Sequence, residues 1–581
     1  MINEENINKI KIYIQDNLAQ KDSKYDRLVT ESESSHMGGI FETRCEFGRD
    51  IDRILYSKSF RRLQHKAQVY SNEKSDHYRT RLTHTLEVNQ ISKSISRNLG
   101  LNVNLTEAIA LGHDIGHTPF GHVGEEVLDD IMRGHDDLGK KLVLPFDYGG
   151  FKHNFNSLKI LDSVEEKSKG YGLNLTWQVL DGILKHTSIV KPGKNWDLKR
   201  FVDDFEYYRK FIYYGSENEE EIKFTFPLTL EGQIVAISDE IAQRSQDLDD
   251  SLRNKDFSFG ISDLYNKILE IICSVEKSCN SDDEGFALFL ELKKSLYDLK
   301  DVTNEIQWQK MISIIISYFI RDVTETTMLN LEKEDLDNII KFEEINENYC
   351  RKYIVKDIVS FSKVGNLLNE KIENFINNKI IYSFNVSRFD GKAKYIVRQL
   401  FKAYYENPRQ MPKKHLDLIN IKIEKVANIY GSYKLDDGTP IEDVKFNINS
   451  VNKTINNKHI DDLITILKLN DFEYPRRKSK ETDVDENLNK SIENIMKMID
   501  IDLIDYQKRD DFGGFTVELF SKIGKMDKNS IIDKFGEENE FSLLIKFLFE
   551  LHYIYLSVIC NYISQMTDNY AKKEFKELYL V

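Results

Sequence analysis

The chain has 581 residues, of which 40% are apolar and 30% are charged, and it contains 8 prolines. This composition is typical of a folded, mainly helical protein and excludes a chain that is disordered throughout. The formal net charge of −15 disfavours nucleic acid and anionic membranes as partners, so an anionic ligand would need a local concentration of Lys and Arg.

Membrane insertion and secretion are also disfavoured. No segment approaches the roughly 20 uninterrupted apolar residues of a membrane span, and the N-terminus "MINEENINKIKIYIQDN" lacks the pattern of a signal peptide. The five cysteines are scattered and match neither a redox pair nor a zinc ribbon. We therefore expect a cytoplasmic protein with reduced thiols and no membrane partner.

Three helices are predicted in the first quarter of the chain. The first spans Asp76 to Gly100, where glycine ends it. The second starts near Asn104 or Thr106 and runs to Gly116. The third begins after the histidine that closes "LGHDIGHTPFGH". Their predicted buried positions include Leu82, Leu86, Ile95, Leu99, Val127, Leu128 and Ile131.

The later elements are less regular. "LTLEGQIVAISDEIAQRSQDLDD" predicts a long helix, with Ile234, Ile237, Ile241 and Leu248 on its core side. "SENEEE" from Ser216 and "RRKSKETDVDENLNK" from Arg476 are typical of solvated linkers, and the second indicates a lobe boundary. "SYKLDDGTPIEDVKFNI" favours a hairpin because of its Asp-Gly turn. "FSLLIKFLFELHYIYLSVI" predicts an apolar packing helix.

Histidine is concentrated in one region, since nine of the 13 fall between residues 65 and 186. His84 lies on the apolar face of its predicted helix, where an unpartnered ring would be costly. His113 and Asp114 are adjacent, and Asp239 lies in an apolar run. Two imidazoles and two carboxylates suit manganese, iron, magnesium, zinc or nickel. A buried hydrogen-bond network of the same residues is the open alternative.

These residues, in this order, are similar to those of the HD superfamily of metal-dependent phosphohydrolases. More narrowly, the chain resembles the deoxyguanosine triphosphate triphosphohydrolase family. The resemblance covers blocks in family order from Arg49 to Ala571. They are "RDIDRILYSKSFRRLQHKAQVY", "RTRLTHTLEVNQISKSI", "EAIALGHDIGHTPFGHVGEEVL", "GGFKHNFNSLKIL", "SDEIAQRSQDLDD", "IVRQLFKAYYENPRQMP" and "NYISQMTDNYA". The resemblance implies an all-α fold, with an HD-domain helical core and an additional helical C-terminal lobe.

The resemblance also implies an activity and its catalytic residues. We expect metal-dependent hydrolysis of a deoxynucleoside triphosphate, most simply dGTP, to the deoxynucleoside and inorganic tripolyphosphate. The implied ligands of the divalent ion (Mn, Mg or Fe) are His84, His113, Asp114 and Asp239. His122 and Glu125 match a family pair that acts beside the metal, and their spacing puts both on one helical face. His117 and His153 match positions that line the phosphates.

Substrate contacts follow from the same comparison. Arg81 matches the arginine that grips the α-phosphate, and the surrounding basic run supplies Arg61, Arg62, Lys66 and Arg79. Gln68 and Asp247 match positions near the sugar 3′ hydroxyl. Relatives carry a tyrosine at the position of Gln243, so sugar selectivity and the preferred base stay open here.

Four segments are predicted: an N-terminal segment 1–48, an HD-domain core 49–412, an enlarged lobe 413–560, and a C-terminal family motif 561–581 that packs back on the core. By resemblance we expect a homo-oligomer, a tetramer or hexamer, with a possible allosteric nucleotide. Single-stranded DNA would require a local basic groove. Two alternative functions are another HD nucleotide phosphohydrolase, acting as a phosphomonoesterase or phosphodiesterase, and a nucleotide-sensing protein that uses the HD site for ligand capture.

Overall fold

Helices dominate the chain in the computed structural model, which confirms the predicted all-α class. The structure describes residues 4–21, 27, 44–68, 79–139, 142, 147–165, 172–190, 196, 198–202, 205–216, 222–252, 260–300, 302–346, 349–381, 384–419, 421–422 and 540–580. Within these ranges, no helix is long and apolar enough to cross a membrane.

The helices of the first half lead up to the long helix that was predicted from its apolar stripe. They are α1 (Glu4–Tyr13), α2 (Glu46–Leu55), α3 (Lys58–Arg62), α4 (Arg81–Leu99), α5 (Val103–Gly112), α6 (His122–Met132), α7 (His153–Lys159), α8 (Trp177–Lys185), α9 (Phe205–Ile212) and α10 (Leu230–Ser251). The predicted core positions of α10 are all buried.

The second half adds further helices and one hairpin. Its elements are α11 (Ile261–Ser278), α12 (Phe286–Asp298), α13 (Glu305–Lys333), α14 (Leu336–Ile339), β1 (Ile340–Asn346), β2 (Tyr349–Ile354), α15 (Lys363–Ile376), α16 (Phe384–Glu406), α17 (Glu540–Ser564) and α18 (Asp568–Tyr579). Residues 413–419 are also helical. The apolar segment predicted as a helix near the C-terminus lies within α17, which confirms that prediction.

The strands form an antiparallel pair with Ile340 opposite Ile354 and Phe342 opposite Lys352. This hairpin was not predicted from the sequence. The hairpin that was predicted, at 432–448, and the polar run from Arg476 both lie outside the described residues, as do residues 217–221 of the acidic run.

Two helix boundaries differ from the prediction. The first helix begins at Arg81, and not at Asp76, because the Thr80 side chain caps it by accepting a hydrogen bond from the Thr83 backbone. Its end at Gly100 is confirmed, since that residue has a left-handed φ of 78°. The second helix ends at Gly112, so the two residues that follow it lie in a turn rather than on the helix.

The packing of the described residues divides the chain into two compact units. The first comprises Met1–Asp130, Gly149–Val397 and Ile563–Val581. In it, α4 packs against α5, α10 and α13, and α8 packs against α5, α7 and α10. The second unit comprises Ile131–Tyr148 and Arg398–Tyr562. Its described part has a core that includes Tyr404, Tyr405 and the buried face of the C-terminal part of α17.

A glycine brings the turn after α5 against α7. A Cβ atom at Gly116 would lie 2.1 Å from the backbone oxygen of His153 and 2.4 Å from the backbone nitrogen of Ser157. Only a residue without a side chain permits this approach. The backbone segments that carry the HD pair and His153 are therefore held in direct contact.

Candidate active site

The four predicted metal ligands lie together in the first unit. His84 comes from α4, His113 and Asp114 from the turn after α5, and Asp239 from α10. The His84 Nε2 atom lies 3.0 Å from Asp239 Oδ1, and His113 Nε2 lies 3.9 Å from the same oxygen and 3.5 Å from Asp114 Oδ1. The two imidazoles and Asp114 are buried, and Asp239 is half-buried. Two nitrogen and two carboxylate donors therefore converge, as a mixed N/O metal site requires.

Hydrogen bonds on the far side of each ring fix the two histidines. His113 Nδ1 donates to the backbone oxygen of Ala110 at 2.7 Å, and His84 Nδ1 lies 2.8 Å from Gln246 Oε1. Gln246 is held in turn by donating to Glu87 at 2.8 Å. These bonds place a proton on Nδ1 of each ring, so that Nε2, which faces the carboxylates, is the nitrogen available to a metal ion. Within the described part of the chain, the buried His113 Nε2 has no hydrogen-bond partner, which fits a metal ligand.

The charges of the cluster also fit a cation. Burial by itself raises the pKa of both carboxyls, but the imidazole of His117 beside Asp114 and the hydrogen bond from His84 to Asp239 hold each pKa below its usual range. For His84, burial lowers the pKa, but the hydrogen bond and the charge of Asp239 outweigh this effect and raise it to about 9. Two ionised carboxylates, one buried and one half-buried, thus lie beside the imidazoles, where they need positive charge.

A second cluster of ionisable groups comprises His117, His122, Glu125 and His153, whose potential ligand atoms lie within 4.8 Å of one another. The rings of His117 and His153 stack at 3.8 Å. His122 is exposed, and its ring lies 4.9 Å from that of His117. Glu125 Oε2 accepts a hydrogen bond from His153 Nδ1 at 2.5 Å, and Oε1 accepts one from Lys152 at 3.1 Å. Glu125, which the resemblance pairs with His122, therefore holds the ring of His153.

The electrostatics of Glu125 follow from these contacts. Burial raises the pKa of its carboxyl, but His153, Lys152 and His122 together hold it well below its usual range. Burial and the charge of Arg81 lower the pKa of His117 far below its usual value. The cluster consequently contains both an ionised carboxylate, Glu125, and a neutral imidazole, His117, and such groups can accept and donate protons.

Arg81 links the predicted metal ligands to the predicted phosphate site. Its Nη1 atom donates to Asp114 Oδ2 at 2.7 Å, whereas its buried Nε and Nη2 atoms have no hydrogen-bond partner among the described residues. A Cβ atom at Gly121, whose φ is 61°, would lie 2.7 Å from Nη2. Of the other basic residues, Arg61 is exposed and Arg79 forms ion pairs with carboxylates of α10.

Lys66 and Arg62 lie against the C-terminal family motif. The buried ammonium of Lys66 donates to the backbone oxygens of His117 and Ser564. Burial, followed by the charge of Arg62, lowers the pKa of Lys66 to about 7. Arg62 donates to the backbone oxygen of Gln565 at 3.0 Å. Lys66 therefore lies beneath the histidine cluster, and Arg62 anchors the C-terminal segment.

The residues predicted to contact the sugar are partly buried. Gln68 Oε1 and Asp247 Oδ2 are buried oxygens without a hydrogen-bond partner in the described ranges. Burial, with the nearby charge of Asp250, raises the pKa of Asp247 to about 7. Asp239 and Asp247 are separated by two turns of α10, and the half-buried Gln243 lies between them. One helix thus carries a predicted metal ligand and a predicted sugar contact.

Sequence reasoning missed His186, which follows α8. Its ring lies 5.0 Å from that of His113 and 5.4 Å from that of His153. Burial, with the nearby His113 and His153, lowers its pKa to about 3. The available signal was its position as the last member of the histidine-rich region.

Asp568 was also missed, although it lies within the last of the family-like blocks. Its carboxylate accepts hydrogen bonds from the backbone nitrogens of Ala67 and Phe120, each at 2.9 Å. Phe120 has a φ of 62°, a left-handed conformation that a bulky residue adopts only when its surroundings enforce it. Asp568 therefore fixes the loop between the HD pair and α6.

Comparison with known proteins gives a consistent result. The HD domain family model matches residues 81–243, which include all four predicted metal ligands. A deoxyguanosinetriphosphate triphosphohydrolase-like protein of Geobacter metallireducens is 35% identical over 374 residues, covering 64% of this chain and 80% of the relative. Proteins with the same name from Bartonella tribocorum and Rickettsia bellii are 33% and 34% identical, and the matches cover 85% and 84% of them.

The HD model and the buried clusters of His, Asp and Glu agree with each other, because the matched residues supply a donor set for a divalent ion. The relatives are matched over most of their length at more than 30% identity. The chain therefore belongs to the family of deoxyguanosinetriphosphate triphosphohydrolase-like proteins, and it is a metal-dependent HD-domain phosphohydrolase.

Proposed function

We propose that the protein hydrolyses deoxynucleoside triphosphates, dGTP above all, to the deoxynucleoside and inorganic tripolyphosphate. One observation carries this function: the Nε2 atom of each of two imidazoles lies within 4 Å of both carboxylates, and a buried arginine with two nitrogen atoms that have no partner among the described residues contacts one of the carboxylates. A site of this kind combines a place for a metal with a place for a phosphate. The printed name of the relatives supports dGTP as the first substrate to test.

His84, His113, Asp114 and Asp239 would hold the ion, for which Mn, Mg and Fe all suit the donor set. When bound, the ion supplies Lewis-acid polarisation at the phosphate and increases the acidity of water. Gln246 and Ala110 keep the proton of each imidazole on Nδ1, so that the Nε2 lone pairs stay directed at the ion.

Arg81 would bind the α-phosphate. Its Nε and Nη2 atoms, which have no protein partner in the described part of the chain, offer the planar pair of donors that phosphate oxygens accept. The charge of Lys66, beneath His117, would neutralise the charge that develops on the phosphoryl oxygens. Arg62 would add positive charge to this site, although its guanidinium also binds the backbone of Gln565.

Proton transfer would fall to the second cluster. In the proposed reaction, the oxygen of water forms a bond to the α-phosphorus, and the bond from phosphorus to the sugar O5′ breaks. The water gives up a proton, and the departing O5′ takes one. We assign this exchange to His122, supported by His117, with Glu125 holding His153 in a fixed orientation beside them.

Gln68 and Asp247 would contact the 3′ hydroxyl of the sugar. Each carries a buried oxygen without a partner among the described residues. A sugar hydroxyl can donate a hydrogen bond to the amide oxygen of Gln68 and accept one from the carboxyl of Asp247 when that group is protonated. Gln243 offers an amide where the family resemblance predicts a tyrosine. Ribonucleotides therefore belong in the substrate test.

The domain roles are proposals of the same kind. We assign 49–412 to the catalytic core, 561–581 to a motif that packs on it, and 413–560 to a regulatory or oligomer-contact lobe; residues 1–48 form an N-terminal segment. Most of the proposed lobe lies outside the described residues. A homo-oligomer, a tetramer or hexamer, and an allosteric nucleotide would follow from the family.

The direct test is to incubate the full chain with Mn²⁺ and each dNTP or rNTP, singly and in mixtures, and to identify the products. We expect tripolyphosphate and a deoxynucleoside. Asp114→Ala should abolish turnover, whereas Asp298→Ala, which alters an exposed aspartate, should leave it unchanged. Orthophosphate or pyrophosphate as the product would indicate another HD phosphohydrolase, and tight binding without turnover would indicate a nucleotide sensor.

A further inference from the structure

Asp568 is a buried carboxylate of the C-terminal segment that the proposed reaction does not use. It is the first residue of α18 and only 6% exposed. Its two oxygens serve two different loops: Oδ2 accepts a hydrogen bond from the Ala67 backbone, and Oδ1 accepts one from the Phe120 backbone, each at 2.9 Å. Hydrogen bonds to an ionised carboxylate are stronger than those between neutral groups. One side chain therefore joins two loops that are far apart in the sequence.

The loop held through Ala67 carries two residues that we assign to the substrate. Lys66 precedes Ala67, and Gln68 follows it. The backbone of this loop also contacts the start of α4, because the backbone nitrogen of Arg81 donates to the backbone oxygen of Lys66 at 3.0 Å. A shift of the loop would therefore move both side chains relative to the guanidinium proposed to bind the α-phosphate.

The loop held through Phe120 leads directly to the histidine that we assign to proton transfer. Phe120 has a φ of 62°, a left-handed conformation that is strained for a bulky residue. The same helix also holds its ring, since the ammonium of Lys572, one turn after Asp568, lies 5.5 Å from the ring centroid. Loss of the bond to the Phe120 backbone would let this strain relax, and His122, two residues later, would move with it.

We propose that Asp568 is a positioning residue, whose carboxylate holds the Ala67 loop and the Phe120 loop in register so that both face one substrate. This inference deepens the proposed function and rests on it, because it uses the roles proposed there for Gln68 and His122. The four proposed metal ligands come from α4, the turn after α5 and α10, and none of them lies on either loop. The C-terminal segment thus completes the substrate site without holding the metal.

The test is to measure kcat and KM of the full chain for dGTP at saturating Mn²⁺. Asp568→Ala should lower kcat by about 100-fold, because a displacement of roughly 1 Å among reacting groups can cost this much. KM should change far less, since the metal and Arg81 still bind the substrate, and Mn²⁺ affinity should stay at the wild-type value. Asp568→Asn should give an intermediate kcat, because its amide offers one oxygen to the two N–H groups. This variant also serves if the alanine variant does not fold.

Thr567→Ala is the matched control. The Thr567 side chain caps α18 by accepting a hydrogen bond from the Tyr570 backbone, so its removal weakens the same helix but leaves both bonds of Asp568 in place. We expect a lower thermal midpoint and an unchanged kcat. An equal loss of kcat in Thr567→Ala and Asp568→Ala would mean that Asp568 only stabilises the helix, and the positioning role would be wrong.

Hydrogen exchange of the metal-free protein, followed by mass spectrometry, reports on the two loops without any reaction. Peptides that contain Ala67 or Phe120 should exchange faster in both Asp568 variants than in the wild type and in Thr567→Ala. Unchanged exchange in a folded Asp568 variant, or wild-type kcat in that variant, would overturn the proposal.

Failure of the proposed function gives a different result. A wild type that hydrolyses no nucleotide loses that function, and the exchange rates then decide the role of Asp568 alone. Faster exchange in both peptides would still show that the carboxylate holds the two loops. A wild type that releases tripolyphosphate, with no effect of Asp568→Ala on kcat, keeps the function and loses the positioning residue.

Discussion

Buried histidines occur in both units, but the hydrogen bonding of their ring nitrogens differs. In the second unit, His552 Nδ1 lies 2.6 Å from the hydroxyl of Tyr148, and Nε2 lies 3.1 Å from that of Tyr405. In the first unit, His113 and His186 each bond a backbone oxygen through Nδ1, while Nε2 has no hydrogen-bond partner within the described segments. Burial is common to all three rings, and only those of the first unit keep a bare nitrogen.

This difference separates a packing role from a ligand-binding role. A buried ring with both nitrogens satisfied adds to stability, whereas a bare buried nitrogen costs free energy that folding alone does not recover. Sites for metals and substrates keep such groups because the ligand completes them. The same histidine side chain thus serves two purposes, which matched substitutions can distinguish.

The largest expected effect comes from a matched pair of substitutions. His113→Leu should lower Mn²⁺ affinity by at least about 100-fold, because it removes a proposed ligand, and should leave the stability of the metal-free protein unchanged or raised. His552→Leu should leave Mn²⁺ affinity unchanged but lower the free energy of unfolding by roughly 1–3 kcal/mol, because a buried hydrogen bond to each of two tyrosine hydroxyls is lost. Isothermal titration and denaturant unfolding measure both quantities.

Two results would contradict this difference in role: weaker Mn²⁺ binding in a folded His552→Leu variant, or full Mn²⁺ affinity in His113→Leu. In the first case a satisfied histidine would also be needed for the metal. In the second, the bare Nε2 atom would have no part in the site.

A smaller effect is expected one step away from the metal. Gln246 fixes the His84 ring through Nδ1, so Gln246→Leu should lower Mn²⁺ affinity by about 10- to 100-fold. The variant should still bind Mn²⁺ at saturating concentration, since no ligand is lost. Gln90→Leu, on the exposed side of α4, is the control and should bind Mn²⁺ as the wild type does. Equal affinities of the two variants would show that His84 needs no orienting partner.

The smallest effect concerns stability and pH. Burial raises the pKa of Asp247 to about 7, so the folded protein binds a proton that the unfolded chain releases above its ordinary value near 4. Stability should therefore fall as the pH rises from about 4 to 7. Asp247→Asn removes the charge, and at pH 8 it should raise the free energy of unfolding by roughly 1–3 kcal/mol over the wild type.

Denaturant midpoints at pH 5 and pH 8 measure this difference, which should shrink at the lower pH. Asp298→Asn, at an exposed position, should follow the wild type at both values. Parallel pH profiles for Asp247→Asn and the wild type would mean that the buried carboxylate carries no such cost.

Much of the fold followed from local patterns. The apolar stripe was sufficient to predict α10, and the glycine after α4 was sufficient to predict where that helix ends, because both signals act within a few residues. The start of α4 was misplaced because the apolar stripe does not mark where the helix begins, whereas the side-chain cap at Thr80 does. The hairpin at 340–354 was missed because its strands lack a strong turn signal, and Phe342 is exposed.

The all-α class and the family follow from the sequence alone, because ordered blocks of residues carry both. The residues His84, His113, Asp114 and Asp239 were also predicted from it, but that their side chains lie together appears only in the three-dimensional arrangement. The same is true of the contacts of His186, Gln246 and Asp568, and of the hydrogen bond between Glu125 and His153. These contacts join residues far apart in the chain, and spacing along a sequence carries no information about which side chains meet across helices.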